Sequence, residues 1–114
     1  MAEPTAQKIT LAIGQSKVIT VTMDAAPSGG VGSWTVRFRV RTRGAATVLI
    51  EKIIATGVAI TDAVNGVWTI TLKGSETLPL LPQEYEWSFW RTDTDSEAPI
   101  AFGTILPYVT AEVG

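Results

Sequence analysis

The sequence predicts an all-β fold, an antiparallel β-sandwich of about seven or eight strands. Three observations carry that expectation. Short runs alternate apolar and polar residues with period two, as strands with one buried face do. Gly-, Pro- and Asn-bearing turn signals separate the runs. No stretch has the length and periodicity of a long helix. Residues 66–91 show all three: Trp68, Ile70 and Leu72 share one face of a first run, and Tyr85, Trp87 and Phe89 share one face of a second. Leu78-Pro79-Leu80-Leu81-Pro82 makes a proline-bearing corner between them.

Earlier elements follow the same logic. Lys8–Ile13 alternates, with Ile9, Leu11 and Ile13 on one face. After the turn Gly14-Gln15-Ser16, Lys17–Met23 alternates again, so the two runs read as a hairpin or as strands meeting at a corner. Asp24–Ser33 carries three Gly and one Pro and reads as a loop, the longest candidate for mobility. Trp34–Arg41 is the cleanest strand. Trp34, Val36, Phe38 and Val40 face the core, and Arg37, Arg39 and Arg41 face out. Thr47–Ile54 has the length of a short helix, but its β-branched content favours a strand.

Gly57–Thr61 is a further short strand, and Asp62–Gly66 ends in the Asn-Gly hairpin signal. Gly74–Thr77 allows one helical turn with Ser75 as N-cap, stopped by Pro79 and Pro82. Tyr85 stands where a sandwich places a tyrosine corner, with its hydroxyl bonding backbone upstream. Tyr85, Trp34, Trp68 and Trp87 are therefore expected to be structural. Trp90 is out of phase with the other aromatics and fills a second interface or lies exposed. Asp93–Glu97 reads as a polar hairpin turn. Pro99–Leu106 is the last clear strand, with Ile100, Phe102 and Thr104 on one face, and Pro107–Thr110 extends it along an edge. The expected division is a short arm at 1–7, one domain at 8–110 and a tail at 111–114.

Composition narrows function. The chain has 114 residues, 46% hydrophobic and 18% charged, with four Trp, no Cys and no His. A domain of this size buries about 65% of its unfolded surface, enough for a core without staples. Without Cys or His there is no disulfide, no Cys- or His-ligated metal and no Ser-His or Cys-His catalysis. The net charge of −2 argues against a general nucleic-acid binder. No apolar run approaches the roughly 18 residues of a membrane helix, and the first residues do not read as a signal peptide.

Candidate chemistry reduces to bland readings. The Gly loop lacks the Lys-Ser/Thr and following helix of a phosphate-binding loop. Asp93–Glu97 lacks the spacing of a calcium loop. Glu84 and Glu86 share a strand face about 6–7 Å apart, a spacing that alternation on a solvated face explains. No catalytic, cofactor or metal residue is assigned. Arg37, Arg39 and Arg41 face solvent and are expected to pair with acids across the sheet, such as Glu51, Glu84 or Glu86. Together with Trp90 they form a possible interface.

The order of signals from Lys8 onward resembles the immunoglobulin-like N-terminal domain of phage baseplate upper proteins and related small phage virion proteins. Ile9-Thr10-Leu11-Ala12-Ile13-Gly14 matches the opening strand, Val36-Arg37-Phe38-Arg39-Val40 the strand after the loop, and Ile60-Thr61-Asp62 through Gly66 the next turn. Leu78-Pro79 or Leu81-Pro82, then Tyr85-Glu86-Trp87, match the corner, and Gly103-Thr104-Ile105-Leu106 the closing strand. Gln83 replaces the Gly usual before the Tyr strand. The resemblance implies a non-enzymatic structural protein of a tailed bacteriophage virion: baseplate, tail, neck, head fibre or capsid decoration. It implies manufacture in the host bacterial cytoplasm, other virion proteins and further copies of itself as partners, and no nucleic acid, membrane or cofactor. The alternative is a carbohydrate- or receptor-binding β-sandwich module using Trp90.

Overall fold

A computed structural model describes residues 6–23, 28–44 and 47–109. Most of the expected arm, Asp24–Pro27 of the glycine-rich loop and the tail lie outside the described residues. The elements are β1 (Ala6–Ala12), β2 (Lys17–Thr22), β3 (Val36–Thr42), β4 (Val48–Ile54), β5 (Gly57–Asp62), β6 (Val67–Leu72), the single helical turn α1 (Gly74–Thr77), β7 (Tyr85–Arg91) and β8 (Ala98–Tyr108). The strands run in the order β1-β8-β7-β3-β4-β5-β6-β2.

Two layers face each other, β1-β8-β7-β3-β4 and β5-β6-β2. They join through two residue pairs only, Ile53 with Gly57 and Ile54 with Val58. The chain turns there on left-handed backbone, Ala55 at φ 71° and Gly57 at φ 104°. A side chain at Gly57 would also overlap the Lys52 stem. β8, β7, β3 and β4 occupy the places of the G, F, C and C′ strands of a variable-type immunoglobulin sandwich, and β5, β6 and β2 those of D, E and B. The fold is an immunoglobulin-like β-sandwich of eight strands.

Alternation builds the core from both layers. β3 and β7 pair so that Phe38 opposes Phe89 and Val40 opposes Trp87, all inward and buried. Trp68 and Ile70 of β6 reach them from the facing layer. Trp68 meets Phe89 edge-on with centroids 5.2 Å apart, and Phe38 lies 5.9 Å from Trp87. Such pairs add about 0.5–1.5 kcal/mol beyond the area they bury. Tyr85 forms the expected corner: the Leu81 N–H donates to its hydroxyl at 2.9 Å. Trp87 follows two residues later, where an antibody-type domain has its second disulfide cysteine. Its bulk fills that site, and Nε1 donates to the Gln7 carbonyl at 3.3 Å. That bond ties β1 to the sheet, and Gly103 admits the approach because a Cβ there would overlap the Gln7 carbonyl.

Several sequence expectations change. β1 and β2 form no hairpin: β1 runs parallel to β8, and β2 runs antiparallel to β6, as strands meeting at a corner do. Trp34 precedes β3 rather than opening it. It is half-buried, 6.3 Å from Trp68 and beneath the Arg91 guanidinium at 4.1 Å. The N-cap of α1 is Lys73, not Ser75, and Glu76 accepts its N–H at 2.8 Å. β8 lies between β1 and β7 as far as Ile105, and beyond it Leu106–Tyr108 pairs with β1 alone; Thr110 of the expected edge extension lies outside the described residues. A register shift opposite Phe89 and Trp90 leaves Ile100 as an extra residue, so Phe102 faces outward, away from the core that Ala101 and Ile105 enter. Val31 is buried and its N–H donates to the Ala63 carbonyl, so the latter part of the glycine-rich loop is pinned to the β5–β6 turn.

β4 departs most from its pattern. Leu49 and Ile53 lie outward, whereas Lys52 points in, with 7% of its surface exposed. A buried ammonium needs a paired acid, and Glu76 of α1 supplies it. Burial pushes the Glu76 carboxyl up. The hydrogen bond from Lys52 and the backbone N–H of Lys73 outweigh that and hold it below its usual 4.5. A carboxyl depressed in the folded state contributes stability above its unfolded value and loses it as pH falls through the folded value. The thermal midpoint of the wild type should therefore fall between about pH 5 and pH 3 more steeply than that of Glu76→Gln. Equal slopes in calorimetry would show that the ion pair contributes nothing.

Candidate functional site

The outward sides of the same strands form the candidate site. β3 contributes Arg37, Arg39 and Arg41, and β7 contributes Trp90, Ser88 and Glu86 directly opposite them in that order. β8 adds Pro99, Phe102 and Thr104, and β4 adds Ile53 and Glu51. Pairing with period two puts all of these on one face, because their neighbours Phe38, Val40, Trp87 and Phe89 face inward. All four expected interface residues, Arg37, Arg39, Arg41 and Trp90, lie on this face.

Trp90 is 42% exposed and Phe102 39%, with Ile53 and Leu49 also open to solvent. Two shallow concavities of about 510 and 540 Å³ cover the face and share Arg41, Ser88 and Trp90. Exposed aromatics among arginines are the residue types enriched at protein interfaces.

The arginines have different commitments. Arg39 Nε bonds the Glu51 carboxylate at 2.8 Å across the β3–β4 pair, as the sequence expects. Arg43 pairs with Glu84. Arg91 bonds Asp93 at 2.7 Å while lying over Trp34. That bond, and then the Thr35 N–H donated at 3.1 Å, hold the Asp93 carboxyl below its ordinary range. Among the described residues, neither Arg37 nor Arg41 forms an ion pair, nor does Glu86, although Glu86 stands directly across from Arg41. Two cations and two acids without ion pairs among the described residues, Arg37, Arg41, Glu86 and Glu97, therefore line the concavities that hold Trp90. No group of three or more acids with metal-binding spacing occurs among the described residues.

The structure adds Phe102, Ile53 and Leu49 to the face. Phe102 was hidden by the extra residue at Ile100, which breaks the phase of β8. Ile53 and Leu49 were masked because Thr47–Ile54 is apolar on both faces in sequence.

No family model matches the chain, and no curated protein matches it. Among solved structures, one from work on multimeric cell-adhesive interactions of VGSC beta subunits shares 14% identity over 92% of each chain, with a TM-score of 0.42. The fold assignment rests on the strand order, the register and the tyrosine corner.

The two sides of the β3–β7 pair should respond differently to substitution. Arg37→Gln with Arg41→Gln should leave unfolding free energy within about 0.5 kcal/mol of wild type, as solvated side chains do. Trp87→Ala should cost about 3–5 kcal/mol. Chemical denaturation checks both, and a large loss from the arginine pair would place them in the structural framework instead.

Proposed function

We propose that this chain is a non-enzymatic structural module that assembles by docking the outer face of β4, β3, β7 and β8 onto another protein. The observation that carries the reading is Trp90, 42% exposed, beside Phe102 and two arginines that have no acidic partner among the described residues. A large aromatic held in water on a rigid sheet loses little freedom on binding and removes much apolar surface. Uncommitted guanidiniums beside it supply orientation and discrimination.

The setting we propose is the virion of a tailed bacteriophage, assembled after synthesis in the host bacterial cytoplasm. Its support is the run of strand and turn motifs from Ile9 to Leu106 that resembles phage baseplate upper proteins. Baseplate, tail, neck, head fibre and capsid decoration all fit that resemblance. A second reading, a module that binds carbohydrate or a receptor, draws on the same exposed Trp90, since an open indole face also stacks on sugar rings.

Purified particles from an infected culture test the first reading. The chain should be present at a fixed stoichiometry by mass spectrometry, and Trp90→Ser should lower its incorporation by about tenfold, the scale of losing one interface anchor. A chain that stays in the soluble fraction contradicts the virion setting. If host-surface oligosaccharides quench tryptophan emission in wild type but not in Trp90→Phe, the second reading takes its place.

A further inference from the structure

The face also defines who one of its partners is. Resting on the docking reading above, we propose that two copies of this chain pair through it about a two-fold axis that runs parallel to the strands, midway between β3 and β7. A closed homodimer needs one surface complementary to itself, with residue i on j and j on i. The register supplies that relation. Arg37 stands opposite Trp90, Arg39 opposite Ser88 and Arg41 opposite Glu86. Rotation about the axis exchanges β3 with β7, so each residue comes to lie over its own cross-strand neighbour in the other copy.

The outer two of the exchanged β3–β7 pairs are chemically matched, while between them Arg39, held by Glu51, meets the partner's Ser88, and Glu51 lies over the partner's Phe102. Arg41 meets the partner's Glu86, joining a free cation to a free acid twice over. Arg37 meets the partner's Trp90, placing a guanidinium over an exposed indole, a favourable arrangement within about 6 Å of the ring. The flanking strands exchange as well, because β8 and β4 are equally distant from the axis. Ile53, across from Arg37, then covers the partner's Pro99, which lies across from Trp90. Within one chain, Arg41 and Glu86 face each other across the sheet without bonding, which leaves both available.

Glu86 and Glu97 lie beside the free arginines, so the face is not the uniformly cationic surface that would favour an acidic partner. Instead the face carries both members of each matched pair, in the order that self-pairing requires. That balance favours a second copy as the occupant.

Charge exchange between two chains tests this directly. Wild type should show a reversible monomer–dimer equilibrium by sedimentation between about 1 μM and 1 mM, the range of moderate affinities. Arg41→Glu alone sets acid against acid at both contacts, and Glu86→Arg alone sets cation against cation. Each should raise the dimer dissociation constant by at least about tenfold, as like charges brought together do. An equimolar mixture of the two variants should recover a dimer, since every contact then joins opposite charges. Circular dichroism confirms that each variant is folded. A wild type that stays monomeric throughout, or a mixture of folded variants that does not dimerise, overturns self-pairing. If self-pairing fails but particle incorporation still depends on Trp90, the docking reading survives with a different partner. If self-pairing fails and particle incorporation is also independent of Trp90, both fall.

Discussion

Phe38 against Phe89 and Val40 against Trp87 set the register of β3 on β7, and the rest of the molecule depends on that register. These four side chains meet Trp68 and Ile70 from the facing layer, so the contact holds the two layers together without a disulfide. A slip of one residue would turn arginines into the core and aromatics into water, because side chains alternate with period two. The same register that buries Phe89 puts Trp90 outside, and the register that buries Phe38 and Val40 puts Arg37, Arg39 and Arg41 outside. Core and candidate site are two sides of one pairing.

Trp87 links that pairing to the edge of the sheet. It sits where related folds have a cysteine, packs on Phe38 and reaches the Gln7 carbonyl. β1 therefore closes on β8 through one indole and one glycine, Gly103, whose lack of a side chain lets the backbones meet. At the far side of the layer the chain crosses over through Ala55 and Gly57, and the buried Lys52 is neutralised by Glu76. These two fastenings shield the ends of the layer and leave its middle, around Trp90 and Ser88, open to solvent.

Local order was legible in the sequence, whereas long-range pairing was not. Alternation located most of the strands, β-branched content located β4, the Asn65-Gly66 signal located a hairpin, and Pro82 before Tyr85 located the corner. Trp90 stood out because it broke phase. The inward turn of Lys52 was invisible because its partner Glu76 lies in a different element, 24 residues away. Ile100 and Phe102 were placed on one face because period counting assumes no extra residue, whereas the one at Ile100 shifts the phase of β8 and leaves Phe102 outward. The parallel pairing of β1 with β8 joins distant parts of the chain, which no local pattern reports. For the site, the four expected residues were brought together, and the distinction between committed Arg39 and free Arg37 and Arg41 emerged only from the cross-strand partners.

The absence of cysteine offers a direct measurement of the central register. Opposed residues on one face of an antiparallel pair have Cβ atoms about 4.5–5.5 Å apart, within reach of a disulfide once the backbone relaxes slightly, whereas diagonal neighbours are about 7–8 Å apart. Arg39→Cys with Ser88→Cys should close an intrachain disulfide on mild oxidation, read by mass spectrometry of thiol-alkylated protein. Arg39→Cys with Glu86→Cys should retain both free thiols. The reverse outcome would mean that β3 and β7 pair two residues out of the register described, and the face built on Trp90, Arg37 and Arg41 would not exist in this form.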